Sequence, residues 1–264
     1  MFAMALFTDG PISTTDQLVS QDSSVLDVSS SEGIDLTAKL TVAQEELGIQ
    51  IGAMLVGTRL SSSWAYMWPG TSISSQVSLN SIVTTPALRL WHTFQTLALV
   101  YRDAYNNQLN DRYAGKWSEY KELAKWASDI VSRSGIGIAA DPIPIAVAPT
   151  LGFVSGPLSG TIYFVQVSWI NAGGEEGMPS RLASLTVPDQ AVLQVTPVSP
   201  PSNARLWNVY AGTTIDSITL QNASPVAVGQ VWTEAATGLV TGRPPGNGQE
   251  PSFLKPLPRV LQRG

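Results

Sequence analysis

The chain has 264 residues and a net charge of −5; only 13% of residues are charged, while 44% are hydrophobic. Without a basic block, this balance argues against direct nucleic-acid binding as the main task. The absence of cysteine excludes a disulfide scaffold, a thiolate metal site and a cysteine nucleophile.

The length suits one large domain or two ordinary ones, with material for proper cores. A surface rich in Ser, Thr, Gly and Pro suits a protein covered by neighbours, and equally a β-sandwich with many turns. The start, MFAMALFTDG, is apolar but lacks the basic leader region of a secretory signal, and no clean small-residue cleavage site follows. No apolar run approaches the roughly 20 residues that span a bilayer. The expectation is a soluble chain made in the cytoplasm, with no membrane contact.

Residues 14 to 30, TTDQLVSQDSSVLDVSS, alternate short helical pieces with Ser and Asp caps. A firm helix follows, because Leu36, Leu40, Ala43, Leu47, Ile51 and Leu55 recur at steps of three or four and make one apolar stripe. Glu32 and Asp35 stand near its start, where acidic groups favour the helix dipole. The next stretch, TRLSSSWAYMWPGTSISSQVSLNSI, has no period and reads as a loop. Its rings, Trp64, Tyr66 and Trp68, either pin the loop to its own domain or dock on a neighbouring subunit, where Trp and Tyr are enriched.

From Pro86, with Thr84 or Thr85 as cap, a helical pattern runs to Val131. Its stripe of apolar and small residues includes Trp91, Phe94, Ala98, Tyr101, Tyr105, Tyr113, Trp117, Tyr120, Ala124 and Val131. The expectation is one long helix with a polar middle at 102–112 and a potential break at Gly115. His92, the sole histidine, has no Ser, Cys or second His at a spacing that suits general-base or metal chemistry, so a structural or solvent role is expected. The run YRDAYNNQLNDRY lacks the alternating ligands and closing Glu of a calcium loop.

The four prolines and several glycines between Gly135 and Gly160 read as a linker. Beyond it the period changes to two. Tyr163, Val165, Val167 and Trp169 face one way, and the Asn171–Gly177 turn reverses the chain. Further short strands follow through AVLQVTPV, ARLWNVYAG, SITLQNAS and QVWTEAATG, which is the signal for an immunoglobulin- or fibronectin-like sandwich. Glu175 and Glu176 lie on a turn and read as solvated. Trp169, Trp207 and Trp232 would make a glycan platform if exposed, but their alternation with valine favours a core. The Pro-rich end reads as a flexible tail, or as an arm that lies along a partner through Phe253, Leu254 and Leu257.

The fold class expected is therefore α + β in two domains: a helical bundle over 1–134, a linker over 135–160, a sandwich over 161–242 and an extended tail over 243–264. The stretches DLTAKLTVAQEELG and TPALRLWHTFQTLALVYRDAYNNQLNDRYAGKWSEYKELAKWA resemble the helical domain of tailed-phage head–tail connector (adaptor) proteins. The stretches YFVQVSWINAGGEEGMPS and ARLWNVYAG are similar to immunoglobulin- or fibronectin-like modules of phage virion proteins. The resemblance implies a non-enzymatic virion protein at the neck, without a cofactor or metal. It implies a ring, commonly about twelve copies, closed by head-to-tail contacts below the portal protein. It also implies a tail, nozzle or collar protein on the other side, and genomic DNA passing through without sequence-specific binding. Trp117, Tyr120 and Trp126 would then be subunit contacts. The alternative is a tail, receptor-binding or collar protein whose sandwich binds a host glycan or anchors fibres. A cell-wall hydrolase would need a paired-carboxylate or His-centred site, which the scattered acids do not suggest.

Overall fold

A computed structural model describes residues 5–60, 78–108 and 111–255, so Trp64, Tyr66, Trp68 and Leu257 lie outside the described residues. The chain has helices in its first half and antiparallel strands in its second, and it divides into two compact units. One comprises the described residues of Gly10–Ala139 and Pro251–Gly264; the other comprises those of Met1–Asp9 and Ala140–Glu250.

In the helical unit, α1 (Thr15–Gln21) starts at a capping box in which Thr14 and Gln17 each satisfy the other's backbone N–H. α2 (Val25–Glu32) stops where Gly33 takes a left-handed φ of 65°. α3 (Leu36–Leu60) begins with the Asp35 carboxylate accepting from the N–H groups of Thr37 and Ala38. All six residues of its apolar stripe, Leu36 to Leu55, are buried, and each Leu or Ile contributes about 1.5–3 kcal/mol relative to exposure.

The pattern from Pro86 is not one long helix. α4 (Pro86–Gln108) ends before the polar middle is complete, and α5 (Asp111–Ser134) begins three residues later. The two pack side by side, as the ring pairs Phe94–Tyr120, Tyr101–Tyr113 and Tyr105–Trp117 show. Gly115 sits inside α5 and is not the break. A single stripe with a mean step near the helical period cannot distinguish one straight helix from two that face each other. The Thr85 hydroxyl caps α4 by accepting from the Leu88 N–H. α4 is the central helix, with Trp91, Leu97, Val100, Tyr101 and Ala104 almost fully enclosed.

The stretch read as a linker is structured. Ile136–Ile138 forms β1, which pairs with β10 (Ser252–Leu254) at the end of the chain. Thr150–Ser155 forms β2, and Ile143 and Ala146 join the core of the β unit. Prolines here exclude helix but not extended chain, and the pairing partners lie far along the sequence. β2 pairs with β5 (Ala191–Thr196), which pairs with β9 (Trp232–Thr233). A second antiparallel sheet has the order β4 (Ala183–Val187), β3 (Thr161–Asn171), β6 (Ala204–Gly212) and β7 (Thr219–Leu220), with β8 (Val226–Ala227) also on β6. Val165, Val167 and Trp169 of β3, Leu193 and Val195 of β5, and Trp207 and Val209 of β6 meet in one buried cluster. The expected alternation of β3 therefore holds.

Candidate interaction surfaces and buried polar nodes

The helical unit is organised around a buried carboxylate. Asp22 follows α1 and is 7% exposed. One of its oxygens accepts from the Tyr101 and Tyr120 hydroxyls, each at 2.8 Å, and the other from the Ser24 hydroxyl at 2.7 Å and the Ser24 N–H at 3.0 Å. Lys116 Nζ stands 3.6 Å away and lies over the Tyr120 ring. Burial alone would push the Asp22 carboxyl up, but the donors from Ser24, Tyr101 and Tyr120 together hold it well below the usual carboxylate range. Burial, with the Asp22 charge adding to it, pushes the Tyr101 phenol up to about 12. The two phenol rings stack with centroids 5.5 Å apart. The node thus joins α1, α4 and α5 through residues as much as 98 positions apart.

Tyr120, expected as a subunit contact, lies closed inside its own bundle. It is 4% exposed, with its ring packed and its hydroxyl engaged inside its own bundle. Trp117 is half-buried and stacks on Tyr105 at 5.8 Å, so part of its surface is already used. Trp126 differs: it projects from α5 with 51% of its surface exposed. Ile49, 74% exposed on α3, and Val42 on the same helix are further apolar residues open to solvent. Phe253 and Leu254 pair with Gly137 and Ile136 of β1; Phe253 still exposes 57% of its surface.

His92 is fully enclosed, as expected for a structural residue. One ring nitrogen, Nε2, lies 3.0 Å from the Leu40 carbonyl oxygen, which fixes it as the protonated donor, while Nδ1 has no partner. Burial lowers its pKa to about 4, so the ring is neutral near pH 7. The ring is closed off from solvent.

In the β unit, Glu176 is not a solvated turn residue. Its carboxylate accepts from the Ser168 hydroxyl of β3, the Tyr210 hydroxyl of β6 and the Arg243 guanidinium, which also lies over the Tyr210 ring. Burial pushes the Glu176 carboxyl up, but these donors outweigh it and set it below its ordinary value. Neighbouring Glu175 accepts from Asn171 and Gln249, and Gln249 in turn accepts from the Ile143 N–H. Both acids therefore tie the 171–177 turn to chain segments before and after the strands. Trp169 and Trp207 are buried, and Trp232 is partly buried against the core, so they form no exposed aromatic face.

In both nodes the carboxylates already accept several hydrogen bonds, an arrangement that holds charge in place instead of passing protons. Among the described residues, no group of three metal-ligating acids or histidines occurs, and no helix is long and apolar enough to cross a membrane. No protein-family model matches the chain, and no curated protein matches it.

Neither node was visible in the sequence as a site. Asp22 read as a cap and Glu176 as a turn acid; their donors are single Ser and Tyr residues at distances in sequence that no motif spans.

Proposed function

We propose that the chain is a structural subunit of a tailed-phage virion, a head–tail connector (adaptor) that forms a ring below the portal protein. Its β unit is read as an immunoglobulin- or fibronectin-like sandwich, a reading supported by two antiparallel sheets that share one core. The observation that carries the proposal is the contrast along the α4–α5 hairpin. Tyr101, Tyr113 and Tyr120 are closed inside the bundle, while Trp126 stands half exposed on the outer side of α5. A large ring left open on a rigid helix is the kind of anchor that protein contacts bury.

In a ring the same contact repeats head to tail until it closes. Trp126 supplies one half of such a contact, and Phe253 a second anchor. The net charge of −5 suits a channel past which DNA moves without being gripped. The portal protein would bound the ring on one side, and a tail, nozzle or collar protein on the other. The resemblance of the two halves to connector and virion modules supports the same reading.

The test is the abundance of the protein in purified particles, measured by quantitative mass spectrometry against the portal protein. Parity with the portal is expected for one ring at the neck. A large excess would instead favour a tail-tube or decorating role, and absence from particles would end the virion reading.

A further inference from the structure

One end of the β unit holds a cavity of about 560 Å³ that neither polar node uses. Leu158, Leu239 and Val240 give it apolar walls, and Tyr163 and Glu234 are also among its lining residues. Glu234 is 4% exposed. One of its oxygens accepts from the Tyr163 hydroxyl and the other from the Leu193 N–H, both at 3.0 Å. Each oxygen thus keeps a lone pair free. Among the described residues Glu234 forms no ion pair, and the cavity lining contains no Lys, Arg or His. This differs from the other two nodes, where Asp22 has Lys116 and Glu176 has Arg243.

A buried carboxylate with two neutral donors and no cation is under-compensated, and an arriving cation gains from the low dielectric around it. The walls set the rest of the ligand. A long aliphatic stem ending in a cation matches apolar sides with one acid. The wall is also held in shape: Gln221 accepts from the Val240 N–H at 2.8 Å and donates to the Val240 carbonyl at 3.0 Å. A cavity of this volume exceeds a single side chain and admits the stretch of backbone that carries it.

We propose that this cavity is a docking site for a lysine or arginine side chain of a partner polypeptide, with the stem on Leu158, Leu239 and Val240 and the cationic head on Glu234. The proposal does not depend on the virion reading, since it rests on the β unit alone.

The experiment uses the full-length protein, labelled for amide NMR, and three capped tripeptides, Gly-Lys-Gly, Gly-Arg-Gly and Gly-norleucine-Gly, with butylammonium as a fourth probe. The Lys and Arg peptides should shift the Gly212, Thr213 and Gly238 amides saturably, with Kd of the order of 1 mM. The norleucine peptide should bind at least about tenfold more weakly. Glu234→Gln should abolish the response to Lys and Arg. If that variant fails to fold, Thr213→Arg decides, because it places a cation at the exposed rim and should block the site. Equal binding of norleucine and lysine peptides would overturn the proposal, as would an undiminished lysine response in either variant or no saturable shift at all. Butylammonium binding as tightly as the lysine peptide would make this a small-amine site and overturn the polypeptide partner.

Discussion

Replacing Asp22 probes the helical unit most directly. Asp22→Ala removes an acceptor that serves two phenol hydroxyls and Ser24, all within 3.0 Å. Hydrogen bonds to a charged group contribute about 1.5–3 kcal/mol each, but they share one carboxylate and do not add. Tyr101 retains a 3.2 Å contact with Ser24, whereas the Tyr120 hydroxyl is left buried with no partner among the described residues. Breaking such a buried network costs about 3–5 kcal/mol. For a unit of this size that is a fall of roughly 10–17 °C in Tm. Asp22→Asn, which keeps the shape but not the charge, should lose about 2 kcal/mol.

Urea unfolding followed by far-UV circular dichroism reads the helical unit. The sign with pH follows from a folded pKa below the unfolded value of about 3.9. The stabilisation is complete above about pH 5 and is lost as pH falls from there through the folded pKa, so the gap between wild type and Asp22→Asn should narrow in acid. Tyr120→Phe alone should cost about 1 kcal/mol and much less in the Asp22→Ala background. A loss under about 1 kcal/mol for Asp22→Ala, or additivity with Tyr120→Phe within about 0.5 kcal/mol, would refute the node as the organising feature.

His92 has a folded pKa near 4 against 6.5 unfolded, so the unfolded chain binds more protons between those values and stability should fall as pH drops from 6.5 to 4; His92→Phe should flatten that dependence in the same urea assay. Trp126→Ala should change folding stability by no more than about 0.5 kcal/mol, yet reduce incorporation into particles, whereas Trp117→Ala should destabilise by about 1–2 kcal/mol through its lost stack on Tyr105. Glu176→Gln should lower the calorimetric unfolding temperature of the β unit, at a cost of about 2 kcal/mol. Gly242→Ala should destabilise the same unit by about 1–3 kcal/mol, since an added Cβ would lie 2.3 Å from the Leu220 carbonyl oxygen.

What could be read in the sequence was local. The α3 stripe, the Thr85 cap and the alternation of β3 each depend on neighbours within a turn or a strand, and the structure shows all three. The hairpin of α4 and α5 was hidden because Phe94, Tyr101 and Tyr105 continue into Tyr113, Trp117 and Tyr120 at helical steps. Two faces that meet and one face that runs on have the same one-dimensional pattern. β1 and β10 are three residues each, and their signal lies in each other, at positions 136–138 and 252–254. The burial of Tyr120 has no sequence signal, because an aromatic on a helix stripe carries no mark of whether its hydroxyl has a partner.

The buried carboxylates bear on where partners can act. In each unit a single acid binds segments that are distant in sequence, Asp22 across the helices and Glu176 across the strands. Once these donors are closed on their acids, the aromatic residues around them are unavailable to another molecule without undoing the unit. Contacts to partners must then fall on what the nodes leave open: Trp126 and Ile49 on the helical unit, Phe153 on the β2 edge, and Glu234 in its cavity. The two kinds of residue should therefore separate in a mutational scan. Changes at Asp22, Tyr120 and Glu176 should act through stability alone, and changes at Trp126 through association at nearly constant fold. A scan in which Trp126 variants lost assembly only in proportion to lost stability would remove the distinction, and with it the case for α5 as a contact helix.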